Sequence, residues 1–162
     1  MPAPYIWSVA GLATSALILA ASAVNPASDA AAPNLRVASA GFDGPVTAQV
    51  VRVIDGDTFE AAAQIWLGEA VDVHVRIDGI DAPELHGKCP EERERAAAAR
   101  DYLANRIGDG QVQLSQVRYD KYGGRVDAVV RDAGGDVGTA MIRKGYARPY
   151  SGGRRGGWCE AT

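Results

Sequence analysis

Alternation of apolar and polar positions predicts three β-strands in the middle of the chain. The first, Val46–Ile54, is rich in β-branched residues and ends at the turn sequence Asp55–Asp57. Because Thr58–Trp66 resumes the strand pattern directly after that turn, the two segments predict a hairpin. The third strand, Val71–Ile77, alternates strictly, so its polar residues share the face opposite the apolar ones. These polar residues are Asp72, His74 and Arg76.

A helical pattern follows the third strand. Pro90 suits the first turn of a helix, and Gly108 supplies a stop. Four apolar residues between them share one stripe, which predicts the buried face: Ala96, Ala99, Leu103 and Ile107. We expect the acidic residues of this helix to be exposed: Glu91, Glu92 and Glu94.

The rest of the pattern predicts two further strands, Gln111–Arg118 and Arg125–Arg131, and a short helix over about Val137–Lys144. Asp136 is the candidate N-cap of that helix. The resulting order is strand, strand, strand, helix, strand, strand, helix. It predicts an α+β fold, a five-stranded OB-fold β-barrel with a helix between strands 3 and 4 and a short C-terminal helix.

The first 24 residues are typical of an export signal. Met1–Ser28 carries no charged side chain, and the apolar run Tyr5–Val24 contains the cleavage-like sequence Ala21–Ala23. An uncleaved membrane anchor is the alternative, because about 20 helical residues just cross a bilayer. Residues 25–44 then form a linker and residues 45–162 the domain. We expect a periplasmic or secreted protein or, with an uncleaved segment, a membrane-anchored one facing the extracytoplasmic side.

The charges are divided unevenly along the chain. The formal net charge of −3 argues against a protein held to nucleic acid by bulk positive charge. Residues 1–109 carry a net −7, however, and residues 110–162 a net +4. Five of the nine bases in residues 110–162 follow one another without an acid between them: Arg143, Lys144, Arg148, Arg154 and Arg155. Tyr146, Tyr150 and Trp158 lie among them, which is compatible either with a solvated tail or with a nucleic-acid surface.

Cys89 and Cys159 are the two cysteines of the chain. In an exported protein an even count favours a disulfide, and this one would link the C-terminal region to the middle of the domain. A zinc site is the alternative, with His86 and Cys89 joined by His74 or Cys159, although the chain has no Cys-x-x-Cys pair.

Three carboxylates lie on short, restricted loops. Asp57 is in the first hairpin turn, and Asp81 and Glu84 flank Pro83, which restricts the loop between them. Oxygen ligands on such loops suit a hard cation such as Ca²⁺, but plain solvated turns have the same composition. Arg76 precedes the second loop, and its guanidinium is suited to bind a phosphate. The alternative without a functional role is a surface ion pair.

Four ordered motifs decide between these alternatives. VIDGDT (53–58), VRIDGIDAPE (75–84), DKYGGR (120–125) and IRKGYA (142–147) together resemble the thermonuclease family, the staphylococcal-nuclease-like domains. The resemblance covers about residues 46–150. It implies an OB-fold with extra helices and Ca²⁺-dependent hydrolysis of phosphodiester bonds in DNA and RNA.

The resemblance also assigns roles to residues. It implies that the carboxylates of Asp57 and Asp81 and the main-chain carbonyl of Ala82 bind Ca²⁺. It gives Arg76 and Arg125 the phosphate-binding role and Glu84 the activation or positioning of water. Lys121 and Tyr122 resemble a substrate-contacting pair, and Tyr150 is a looser candidate for base stacking. The chain departs from the family pattern at Ala82, where threonine is common, and at the extra glycine Gly124.

We therefore expect an exported Ca²⁺-dependent nuclease. Its partner is nucleic acid, DNA or RNA with single strands favoured, and no protein partner is implied. Nothing in the chain demands an oligomer, so we expect a monomer. The alternative is a catalytically inactive OB-fold module that binds single-stranded nucleic acid.

Overall fold

The fold was obtained as a computed structural model that describes residues 41–120 and 123–159. The described residues belong to one compact unit, Val37–Thr162. The predicted signal segment and most of the predicted linker lie outside the described residues. The last linker positions do contact the domain, because Phe42 pairs with Val117 through two backbone hydrogen bonds of 2.7 and 2.8 Å.

Five long strands form the barrel that the sequence pattern predicts. They are β1 (Val46–Val53), β2 (Thr58–Trp66), β3 (Glu69–Ile77), β5 (Gln111–Tyr119) and β6 (Arg125–Asp132). The hydrogen-bonded order is β3-β2-β1-β5-β6, with antiparallel neighbours. The sheet closes because β3 and β6 pair in parallel. The prediction of an α+β five-stranded OB-type barrel is confirmed.

Three two-residue strands lie beside the barrel: β4 (Ile80–Asp81), β7 (Gly135–Asp136) and β8 (Arg148–Pro149). Strand β4 pairs antiparallel with β8 and brings Asp81 opposite Arg148. This small sheet connects the loop after β3 to the C-terminal part of the chain. It is the feature of the fold that most directly positions the candidate site.

Two helices cover the barrel. Helix α1 (Pro90–Ile107) follows β4, and its buried side includes the whole predicted apolar stripe. Helix α2 (Val137–Arg143) begins at Asp136, whose side chain accepts a hydrogen bond of 2.6 Å from the backbone N–H of Thr139, as expected of an N-cap. Among the described residues, no helix has both the length and the apolar character needed to cross a membrane.

The barrel interior and the inner side of α1 form one hydrophobic core. Its largest fully buried side chains are Phe59, Val75, Ile77, Ile80, Leu103, Val112, Leu114, Val130, Val137 and Met141. These residues come from β2, β3, β4, α1, β5, β6 and α2, so the core joins the strands that carry Arg76, Asp81 and Arg125. A rigid frame of this kind holds polar side chains at its edge in fixed positions.

The expectation that Glu92 is exposed is wrong. Glu92 is buried, because its carboxylate accepts a hydrogen bond of 3.0 Å from the backbone N–H of Lys88 and lies against Cys159. Gly87 also packs on it, since a Cβ at residue 87 would meet the Glu92 side chain at 2.4 Å. The Glu92 side chain therefore packs between the start of α1 and the C-terminal segment, which the disulfide joins.

Candidate active site

Arg76 and Asp57 form a buried ion pair at the end of β3. An Nη2 hydrogen of Arg76 is donated to Oδ2 of Asp57 over 2.8 Å, and Nη2 also lies 3.0 Å from the carbonyl oxygen of Ile80. Both ionic side chains are at most one-tenth exposed. The alternative of a surface ion pair for Arg76 is therefore wrong, because the pair that it forms is buried. Arg76 instead joins the turn after β1 to strand β4.

Burial disfavours the charged form of the Asp57 carboxylate. It raises the pKa of Asp57 from 3.8 to about 6, although the positive charge of Arg76 and a hydrogen bond from Thr58 lower it. The hydroxyl of Thr58 donates that bond to Oδ1 over 2.9 Å. The negative charge of Asp55 adds to the rise. A carboxylate whose charged form is disfavoured gains from a nearby cation, so this position suits a cation ligand.

The Asp55–Asp57 turn lies close to the second acidic loop because Gly56 has no side chain. A Cβ at residue 56 would lie 2.8 Å from the Cβ of Ala82 and 2.8 Å from the Cβ of Ala99. Three small residues thus let the turn, the Asp81–Glu84 loop and α1 meet. Ala82 is buried at this contact, which is compatible with the predicted role of its main chain.

Asp81 is the most buried carboxylate of the site, with 1% of its surface exposed. Its Oδ2 accepts hydrogen bonds from Nε and Nη2 of Arg148, at 2.9 and 2.8 Å, and from the indole Nε1 of Trp158 at 3.2 Å. Its Oδ1 is buried without a hydrogen-bond partner and lies 3.3 Å from Nε of Arg155 in an ion pair. One oxygen is thus saturated, and the other retains the capacity to bind a cation.

Arg155 lies among all three predicted carboxylates. It pairs with Asp81 through Nε and with Glu84 through Nη1. Burial alone lowers the pKa of its guanidinium, but the carboxylates of Asp57, Asp81 and Glu84 outweigh burial and raise it. The three side chains that the family resemblance assigns to metal binding and water activation therefore converge on one point. Their hard oxygen donors fit a divalent cation such as Ca²⁺.

A polar cavity of about 480 Å³ adjoins this point. Arg76, Arg125, Tyr150 and Arg155 line it. The guanidinium carbons of Arg76 and Arg155 each lie 5.8 Å from the centre of the Tyr150 ring, within the range of a cation–π contact. An aromatic face between cations beside a carboxylate cluster matches the needs of a stacked base and its phosphate.

Arg125 reaches the cavity despite the extra glycine before it. Gly123 and Gly124 both have positive φ, 70° and 65°, a conformation that favours glycine. The Nε of Arg125 donates to Oδ2 of Asp120 over 2.6 Å. The insertion is thus absorbed in the turn, and Arg125 and Arg76 line the same cavity.

The predicted disulfide between Cys89 and Cys159 is formed, with the Cα atoms 6.0 Å apart. It ties the C-terminal segment to the residue that precedes α1. Glu92 lies close enough to both sulfur atoms to suggest a metal cluster by distance alone. Because both thiols are consumed in the bond, the zinc alternative with His86 or His74 loses its thiolate ligands.

Residues 74–156, about half of the chain, match the model of a family described as staphylococcal nuclease homologue. The chain belongs to this family. The predicted resemblance is confirmed, and the matched segment runs from the end of β3, where Arg76 lies, through Glu84 and Arg125 to Arg155.

Curated relatives agree with the family. The chain is 33% identical over 92 residues to a probable endonuclease, LCL3, of Leptosphaeria maculans, a match covering 52% of this chain and 30% of that protein. It is 27% identical over 116 residues to endonuclease YhcR of Bacillus subtilis, covering 67% of this chain and 9% of the relative. An uncharacterized endonuclease of Escherichia coli O157:H7 is 28% identical over 102 residues, covering 63% of this chain and 60% of its own length. The matches thus span less than two thirds of each relative.

Most predicted site residues of this staphylococcal nuclease homologue come together in the fold. Those that meet around the cavity and the carboxylate cluster are Asp57, Arg76, Asp81, Ala82, Glu84, Arg125 and Tyr150. Lys121 and Tyr122 lie outside the described residues, so their contact with substrate stays a prediction. Tyr146 stacks on Tyr102 of α1, with ring centres 4.6 Å apart, and therefore packs the domain rather than joining the cavity.

The sequence did not reveal the role of Arg155 described above, or that of three further side chains at this site. Arg148 and Trp158 bind Asp81, although the sequence offered them only as part of a basic and aromatic tail. Asp127 of β6 lines the cavity with a buried Oδ1 that has no hydrogen-bond partner. Burial and then the charge of Asp120 raise the pKa of Asp127. Its place in β6 opposite Arg76 of β3 depends on the parallel closure of the barrel, which no local pattern encodes.

Proposed function

We propose that this protein is an exported Ca²⁺-dependent endonuclease that hydrolyses phosphodiester bonds in DNA and RNA, with single strands favoured. The observation that carries the proposal is the convergence of Asp57, Asp81 and Glu84 beside a cavity lined by Arg76 and Arg125. Membership in the family and the endonuclease names of the relatives support the same reaction.

Asp57 and Asp81 are the residues that would hold the cation, together with the main-chain carbonyl of Ala82. Oδ1 of Asp81 supports this assignment, because it is buried, accepts no hydrogen bond and meets Arg155 only in an ion pair at 3.3 Å, so a bound cation would satisfy it better. When bound, Ca²⁺ supplies positive charge that polarises the phosphate and stabilises charge developing on it.

The guanidiniums act on the substrate directly. Arg76 is held rigidly by Asp57 and by the carbonyl of Ile80, so its position in the cavity is set before substrate arrives. Arg125 is fixed in the same way by Asp120. Two oriented cations facing one cavity bind the phosphate group and stabilise the extra negative charge of a five-coordinate phosphorus.

Glu84 is suited to handle the water. Its side chain is 56% exposed, more than those of Asp57 and Asp81, and it borders a second polar cavity of about 600 Å³ with Arg125. An exposed carboxylate beside the phosphate site orients a water molecule or accepts its proton. General base catalysis of this kind contributes about 10²–10⁴-fold to the rate.

Incubation of the purified protein with single-stranded DNA, in Ca²⁺ or in chelator, tests the proposal. We expect endonucleolytic products in Ca²⁺ and none in chelator, with RNA also cleaved. Binding of single strands without cleavage in either condition would instead support the inactive OB-fold module. Cleavage that is equal in chelator would contradict the metal dependence.

Export is part of the same proposal. The disulfide between Cys89 and Cys159 supports it, because such bonds persist in oxidising compartments. Mass spectrometry of the protein recovered outside the cytoplasm is expected to find the chain cleaved after the Ala21–Ala23 sequence. An intact Met1 in that fraction would support the membrane-anchored alternative, and a purely cytoplasmic protein would contradict export.

A further inference from the structure

Residues 150–159 cross the acidic end of the site, and we call them the C-terminal strap. At one end, the backbone N–H of Tyr150 donates to the carbonyl of Gly79 over 2.9 Å. At the other end, Cys159 is bonded to Cys89. A segment fixed at both ends presents its side chains at a defined place.

Arg148 anchors the C-terminal strap close to its Cys159 end. Its Nη1 donates to the carbonyl of Gly157 over 3.1 Å, its Nη2 donates to the carbonyl of Gly156, and its guanidinium carbon lies 4.3 Å from the centre of the Trp158 ring. Trp158 in turn donates to Asp81. The backbone directly after Arg155 is therefore anchored to the site, which limits where Arg155 can reach.

Arg155 is the cationic strap residue that lines the cavity of the two family arginines. It borders the 480 Å³ cavity with Arg76 and the 600 Å³ cavity with Arg125, and it lies on Tyr150 at the same distance as Arg76 does. Its neighbour Arg154 lines neither of these two cavities, and among the described residues it borders instead a third hollow that contains Trp158 and Glu84. The two adjacent arginines thus have the same charge and different positions.

The side chain of Arg155 is 38% exposed, so it is accessible to a ligand from the cavity. A guanidinium carries five N–H donors, and the ion pairs with Asp81 and Glu84 are made through Nε and Nη1. The fork geometry suits a phosphate oxygen presented beside Arg76 and Arg125. In the substrate-free protein the two carboxylates hold the guanidinium at the edge of the cavity.

We propose that Arg155 is a third phosphate-binding residue of this nuclease, contributed by the C-terminal strap that the disulfide holds over the site. The inference rests on the proposed nucleic-acid substrate and adds a residue to its binding. It predicts that Arg155 contacts the phosphate backbone, so its contribution to affinity is independent of base sequence and sensitive to salt.

The test measures binding of a fluorescent single-stranded oligonucleotide in chelator by anisotropy, over a series of salt concentrations. We expect Arg155→Gln to weaken binding about fivefold to tenfold, in line with loss of a charge-assisted hydrogen bond. In Arg155→Gln, the negative slope of the logarithm of the binding constant against the logarithm of salt concentration becomes less steep by about 0.7. Arg155→Lys, which keeps the charge and loses the fork, is expected to fall between wild type and Arg155→Gln.

Arg154→Gln is the matched control, because it removes the same charge one residue away. We expect it to weaken binding less than twofold. Equal effects of Arg154→Gln and Arg155→Gln would overturn the inference, since bulk charge would then explain both. If wild type binds and Arg76→Gln weakens binding while Arg155→Gln does not, only this inference fails. If wild type neither binds in chelator nor cleaves in Ca²⁺, the proposed function fails with it.

Discussion

Replacement of Asp57 by asparagine removes the ability of one buried side chain to ionise and keeps its shape. Burial raises the pKa of Asp57 from 3.8 to about 6 in the folded protein. Between these two pH values the unfolded chain loses its proton while the folded protein retains it, so stability falls as pH rises. Below pH 3.8 the contribution of the protonated Asp57 carboxyl group to stability is fully present, and above about pH 6 it is lost. The whole fall amounts to about 3 kcal/mol, because one pKa unit corresponds to about 1.4 kcal/mol.

Asparagine does not ionise, so the free energies of unfolding of wild type and Asp57→Asn diverge as the pH rises. In chelator, we expect the free energy of unfolding of Asp57→Asn, relative to that of wild type, to rise by about 2.5 kcal/mol between pH 4 and pH 8. The assay is urea unfolding followed by circular dichroism at several pH values. Chelator is needed because a bound cation stabilises the charged carboxylate and would cancel the effect.

Asp78→Asn is the control for this experiment. Asp78 pairs with Arg118 at the surface over 2.9 Å, so its replacement leaves the environment of Asp57 unchanged. We expect the pH profile of this variant to follow that of wild type. Parallel profiles of wild type and Asp57→Asn would refute the reasoning, because they would mean that Asp57 ionises in the folded protein as readily as in the unfolded chain.

Three further predictions follow from packing, covalent structure and catalysis. Gly56→Ala should lower the free energy of unfolding by about 1–3 kcal/mol in the same urea assay, because its Cβ would lie 2.8 Å from those of Ala82 and Ala99. Gly157→Ala is the control and should be near neutral, because a Cβ there would meet nothing within 4 Å. Replacement of both Cys89 and Cys159 by serine should cost about 4 kcal/mol, as expected for a bond across 70 residues, and a thermal unfolding curve unchanged from wild type would contradict it. Glu84→Gln should reduce the cleavage rate about 10²–10⁴-fold with unaltered thermal stability, because the side chain is exposed; rates within threefold of wild type would remove Glu84 from the mechanism.

The regular elements of this fold were predictable from local sequence. Strand β2 has the predicted bounds, Thr58–Trp66, and β1 ends one residue before the predicted Ile54. Helix α1 runs from the predicted Pro90 to Ile107, directly before Gly108. These elements have short-range signals, namely alternation, turn residues and capping residues, so a local pattern suffices.

The environment of Arg76 was not predictable in the same way. Alternation in β3 places Arg76 on a polar face, yet the residue is buried. The reason is that the turn carrying Asp57 and the short strand carrying Ile80 both cover the end of β3. A strand pattern describes two faces and carries no information on the loops that later cover one of them.

The C-terminal arginines show the same limit. Their spacing in the sequence is equally compatible with a solvated tail, and Arg143 and Lys144 are indeed exposed. Arg148 and Arg155 instead bind Asp81, 67 and 74 positions earlier in the chain, because β8 pairs with β4 and the disulfide returns the strap to α1. Contacts of this range depend on the closed barrel as a whole.

The most direct test of the account compares cleavage of single-stranded DNA by wild type, Asp57→Asn and Asp78→Asn as Ca²⁺ is titrated from chelator to saturation. With circular dichroism unchanged, a loss of cleavage in Asp57→Asn reports on the site rather than on stability, because Asp57 is both a proposed cation ligand and the partner that holds Arg76. We expect saturable Ca²⁺-dependent cleavage by wild type and Asp78→Asn, and a rate lowered by orders of magnitude in Asp57→Asn. Cleavage by Asp57→Asn at the wild-type rate and the wild-type Ca²⁺ concentration would contradict this expectation.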